Sequence, residues 1–143
     1  MTIPIHEICD RIYAVTALAT LAEDSGVALL HPDHAAALSH VVGDTVALLL
    51  AELPAGIVED ARCSSDTIEI TLADGAADTE NARAAVAAAV AMLALAQVKI
   101  AASDRADSIV RLASSVRSAA AALAEKLRPF TRPRRISPSI YIN

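Results

Sequence analysis

A chain of 143 residues suits a single domain, and alanine supplies 33 of those residues, so much of its 55% hydrophobic content is methyl groups and the expected core is thin and closely packed. Tyr13, Phe130 and Tyr141 are the only aromatics, which leaves almost nothing to stack on a base, a sugar or a flavin ring. The net charge of −5 divides unevenly: residues 128–143 carry four arginines and no acid, whereas residues 1–127 hold eight basic against 17 acidic side chains, a balance that excludes duplex nucleic acid as an expected partner.

In chain order, Ile5, Ile8, Ile12, Val15, Ala19 and Ala22 recur at three- and four-residue steps and predict a first helix over 4–23, with Pro4 in its first turn. Glu23-Asp24-Ser25-Gly26 stops it. His31-Pro32-Asp33 opens a second helix over 32–53, whose apolar stripe is Leu38, Val41, Val42, Thr45, Leu48, Leu49 and Leu53. These two helices are expected to form an antiparallel hairpin. Residues 57–73 break the helical pattern. Ile68, Ile70 and Leu72 alternate with Thr67, Glu69 and Thr71, and Ile57 to Cys63 offers a partner strand across Ser64-Ser65-Asp66; the expectation is a short β-hairpin, set against an irregular connector. A lone hairpin is marginal in water, so it needs a helix to cover it or a second copy of the chain to extend the sheet.

From Ala76 to Arg128 the chain runs 53 residues without glycine or proline, 20 of them alanine, the strongest helix former. Asp78 is the expected cap of a third helix over 78–102, with Val86, Val90, Leu93, Gln97 and Ile100 as its stripe. Ile109, Leu112, Val116, Ala119, Leu123 and Leu127 mark a fourth over 104–128. The two stripes fall out of phase near Ser103 to Asp107, so the chain either turns there or continues as one long helix. A turn gives a mainly all-α, up-down four-helix bundle over residues 1–128; the alternative is a helical hairpin plus one long helix, buried by dimerisation.

Charge and spacing add few chemical signals. Ala84 to Ala96 is the most membrane-like run, but it is shorter than the roughly 20 residues of a span and closed by Arg83, Gln97 and Lys99, so no transmembrane segment is expected. The opening MTIPIHEICD has no positive segment, and the expected location is the cytoplasm. Cys9 and Cys63 are read as reduced thiols packing as small hydrophobes. His6, Cys9 and Asp10 on helix one and His31, His34, His40 and Asp44 around helix two suggest a metal site in outline, but the spacing matches no established ligand motif. His34 or His40 as a phosphoacceptor lacks a surrounding motif. No serine sits in a nucleophile turn, and the four isolated glycines make no phosphate loop. Catalytic, cofactor-binding and metal residues are therefore assigned to none.

Residues 129–143 read as a Pro/Arg-rich tail, extended rather than helical; with the preceding Arg128 it offers Phe130, Arg132, Arg134, Arg135 and Tyr141 as contacts for a partner. Together these features predict a non-enzymatic interaction protein that self-associates through Ala-rich helix faces, with a homodimer favoured. The alternatives are an amphipathic coat on an apolar or lipid surface, and a histidine-dependent metal-binding or phosphotransfer bundle.

Overall fold

Alternation of β-branched and polar residues makes Thr67–Leu72 a strand, and in the computed structural model, which describes residues 1–23, 30–101 and 106–128, it is the central strand of a small antiparallel sheet. The order is β1-β3-β2, with β1 at Thr2–Pro4, β2 at Val58–Cys63 and β3 at Thr67–Leu72. The expected hairpin is present, turning at Ser64-Ser65-Asp66, where Ser64 Oγ accepts from Thr67 N at 3.0 Å. Its inward alternation also holds: Ile68 and Ile70 are buried while Glu69 and Thr71 are exposed.

The third strand was not anticipated. Residues 2–4 pair with β3, Ile3 opposite Ile68, and the Met1 amine donates to Ile70 O at 2.9 Å. Pro4 therefore closes an edge strand instead of opening a helix, an arrangement that its missing N–H allows. A three-residue strand carries no readable periodicity, and only its pairing with β3 makes it one.

Four helices supply most of the rest of the described chain: α1 at Ile5–Glu23, α2 at Ala35–Ala51 behind a 3-10 turn at Pro32–His34, α3 at Glu80–Ala101 and α4 at Ala106–Leu127. The molecule is thus mainly helical with a small antiparallel sheet. Helix α3 packs against α1, α2 and α4, and α2 also contacts α1 and α4. Ala77 N donates to Leu127 O at 3.4 Å, which brings the end of α4 back to the start of α3; a single straight helix through both segments has no such contact. The connecting residues 102–105 lie outside the described residues, whereas Ala106 and Asp107, the last two of the Ser103–Asp107 segment where the stripes fall out of phase, are the first of α4.

Thin packing is visible along α3. Ala87 and Ala94, seven residues apart, are fully buried beside Val86, Val90 and Leu93, so methyl groups sit where neighbouring helices approach most closely. The polar members of two predicted stripes meet there too: Gln97 Nε2 donates to Thr45 Oγ1 at 2.9 Å, and that hydroxyl donates to Val41 O at 2.7 Å. Thr45 is fully buried, and its hydroxyl is satisfied both as donor and as acceptor.

Several local expectations need correction. Thr79 caps α3, its hydroxyl accepting from Ala82 N at 3.1 Å, while the Asp78 carboxylate lies 3.4 Å from the Met1 amine. The α1 stripe holds through Ile12 and then turns: Val15 is exposed and Thr16 is buried, its hydroxyl hydrogen-bonded at 3.0 Å to the carbonyls of Ile12 and Tyr13. Ile109 and Leu48, assigned to buried stripes, are exposed. Nor do α1 and α2 lie as a simple antiparallel hairpin. Ile5 and Ala35, each the first residue of its helix, line one cavity, whereas a hairpin closing through residues 24–31 puts the start of α2 beside the end of α1.

Candidate functional site

Helix α1 is uncharged from Ile12 to Ala22, and α3 from Ala84 to Val98. The two run in the same direction. Arg83 Nη1 on α3 meets Glu7 Oε2 on α1 at 3.0 Å near their N-terminal ends, and further along Val15 faces Ala91 and Met92. Arg83 also binds Glu80 at 2.7 Å, and these two carboxylates hold its guanidinium more strongly protonated than usual. Beyond this clamp the helices leave between them an apolar groove of about 280 Å³, walled by Ile12, Val15, Ala88, Ala91, Met92 and Leu95, with Arg11 as its only charged border among the described residues.

Next to the groove, large apolar side chains stand in solvent. Leu18 is 66% exposed, Met92 61% and Val15 42%, and Ala14, Ala17 and Ala19 are exposed around them. Scattered exposed apolar residues are ordinary on a protein surface; here they fall on the uncharged stretches of two neighbouring helices of an otherwise acidic body. Sequence periodicity missed it because Val15 and Ala19 lie on the same predicted stripe as Ile8 and Ile12. The stripe is covered along its first half only.

A second, polar region lies where the first turns of α1 and α2 meet the hairpin turn. One cavity of about 250 Å³ is lined by His6, Cys9, Asp10, Ser39 and Asp66, and a neighbouring one of about 510 Å³ by His40, Gly43, Asp44 and Cys63; Ser39 and Ser65 border both. Burial pushes the Cys9 thiol up, the adjacent Ser39 hydroxyl opposes that shift and Asp10 adds to it. Burial likewise raises the Tyr13 phenol, with Cys9 and Asp10 adding to the shift, and Tyr13 Oη is buried without a hydrogen-bond partner among the described residues.

The histidines divide between this region and the helix start. His6 and His40 line different cavities, while His31 and His34 close the 3-10 turn: His34 Nδ1 accepts from His31 N at 3.1 Å, and His31 Nδ1 from Asp33 N at 3.4 Å. The metal set outlined by the sequence is not assembled. Among the described residues no three His, Cys, Asp or Glu side chains are grouped to hold an ion.

Of the partner contacts expected at the C-terminus, Arg128 pairs with Glu125 one helical turn back at 3.1 Å. Phe130, Arg132, Arg134, Arg135 and Tyr141 lie outside the described residues. Two helical segments, Pro32–Ala51 and Glu80–Ile100, are long and apolar enough to cross a membrane by length and composition, a test that the core helix of a water-soluble protein also passes. No protein-family model matches the chain, and comparison with curated proteins and with solved structures finds no match.

Proposed function

We propose that this chain is a non-enzymatic helical interaction protein whose four helices close as one bundle and which pairs with a second copy of itself through the α1–α3 face. One observation carries the reading: Leu18, Val15 and Met92 form an exposed apolar patch beside a groove, within the only long stretches of α1 and α3 that lack charge. Two acidic bodies repel, and an uncharged face is where two copies approach at least electrostatic cost. A two-fold interface would set the exposed Leu18 of each copy, one helical turn on from Val15, toward the groove of the other, whose volume admits one side chain.

Burying these three side chains on both copies is worth roughly 1–2 kcal/mol each, or about 6–12 kcal/mol gross, against about 4 kcal/mol or more for lost translational and rotational freedom. The surplus corresponds to a dissociation constant of about 1 μM or weaker. Sedimentation velocity at concentrations up to about 500 μM tests it. The expected result is a concentration-dependent dimer, weakened at least tenfold by Leu18→Glu and unaffected by Ile109→Glu, a control at an exposed position on α4. A strict monomer at the highest concentration overturns the proposal, and flotation with lipid vesicles identifies the other occupant that this face admits, an apolar or lipid surface.

A further inference from the structure

Two free thiols overlie the same face of α2, in a part of the molecule that self-association does not use. Cys9, buried on α1, lines one cavity together with Ser39 of α2. Cys63, exposed at the end of β2, has its Sγ 3.6 Å from where a side chain on Gly43 would begin. Ser39 and Gly43 are four residues apart on one helix, so these two positions lie on consecutive turns about 6 Å apart. Gly43 has no side chain to stand between the sulfurs, and the cavities beside them share Ser39 and Ser65 as walls.

A disulfide needs its Cβ atoms roughly 3.5–4.5 Å apart, so the backbone that carries one cysteine must shift toward the other. Cys63 is the one free to do so. It closes an edge strand, it is exposed, and its thiol contacts Ser64 O at 3.7 Å, within the hairpin turn itself. Cys9 is fixed in the buried face of α1 between Ile8 and Ile12.

We propose that Cys63 and Cys9 form a thiol–disulfide exchange pair: Cys63 captures a low-molecular-weight disulfide such as oxidised glutathione, and Cys9 resolves the adduct to an intramolecular bridge. In the first step the Cys63 thiolate attacks one sulfur of the small disulfide. Its S–S bond breaks, and one small thiol leaves with the proton that Cys63 gave up. In the second, Cys9 loses its proton and attacks the Cys63 sulfur, expelling the second small thiol. Two electrons pass from the cysteines to the small disulfide, which leaves as two thiols, and an excess of reduced glutathione reverses both steps. The burial that keeps Cys9 protonated makes it inert to outside reagents and leaves it to react with a sulfur brought to it. The bridge ties the end of β2 to α1 across α2.

The test treats the reduced full-length protein with oxidised glutathione, followed by alkylation under denaturing conditions, mass spectrometry and a non-reducing gel. The expected product is a monomer that has lost both thiols and two hydrogens of mass, with the peptide containing Cys9 joined to that containing Cys63. Cys9→Ser stops at one glutathione per chain on Cys63, and Cys63→Ser leaves the Cys9 thiol unmodified. A wild-type chain that halts at the Cys63 mixed disulfide, or that links to a second chain, shows that Cys9 is out of reach and overturns the proposal.

Discussion

Gly43 sits in the middle of α2, eight residues from either end, with an ordinary helical backbone, since among the described glycines only Gly56 and Gly75 adopt positive φ. Replacing it by alanine recovers the helix propensity that glycine forfeits, about 1 kcal/mol. The space permits the change: the added methyl meets Cys63 Sγ at 3.6 Å, ordinary van der Waals contact with nothing nearer. Gly43→Ala is therefore expected to stabilise the protein by about 1 kcal/mol, raising Tm by about 4 °C or the urea midpoint by roughly 0.5 M at unchanged slope. Gly56→Ala serves as the counterpart. Nothing lies within 4 Å of its new Cβ, but φ is +88°, so it is expected to lose about 1 kcal/mol to backbone strain alone. Urea unfolding of both variants separates space from conformation. A loss of stability in Gly43→Ala with the slope unchanged would mean that β2 lies closer to α2 than the Cys63 contact allows.

Thr45→Val leaves the Gln97 amide without its acceptor and should cost about 1–2 kcal/mol in urea unfolding, while adding Gln97→Leu recovers much of that loss; equal, additive losses would show that the two side chains do not interact. Thr79→Ala should cost about 1 kcal/mol through loss of the α3 cap, measured by thermal unfolding, while Thr79→Ser keeps the hydroxyl and should cost little; a Thr79→Ala variant as stable as wild type would remove the cap from Thr79. The Glu80 carboxyl is held below its usual range by the hydrogen bond and charge of Arg83, so its contribution to stability is present above its unfolded pKa and disappears as pH falls through the lower folded value. Arg83→Met should accordingly flatten the decline of Tm between about pH 5 and pH 3, and an acid limb identical to wild type counts against the pairing.

How much was legible depended on how local the cause was. The α3 and α4 segments follow from alanine content and the absence of glycine and proline, and the hairpin from the alternation of Ile68 and Ile70 with Glu69 and Thr71. Each of these is decided within a few residues of chain. β1 escaped because three residues carry no period and Pro4 reads equally well as a helix start. The exposed patch escaped for a different reason: Val15 and Ala19 have the spacing of core residues, and whether such a stripe is covered depends on where other helices stop.

The same division explains the two candidate sites. Residue types and spacing by themselves determined a mainly helical chain with one hairpin, an acidic body, and no ligand, nucleotide or nucleophile motif. Tertiary structure alone decided that α1 and α3 run in the same direction and leave a groove open, that Gln97 finds Thr45, and that two cysteines 54 positions apart lie over one face of α2. Helix and strand preferences are short-range properties written in each side chain. A groove or a thiol pair exists only where separate segments converge, and that convergence is set by which apolar surfaces bury one another.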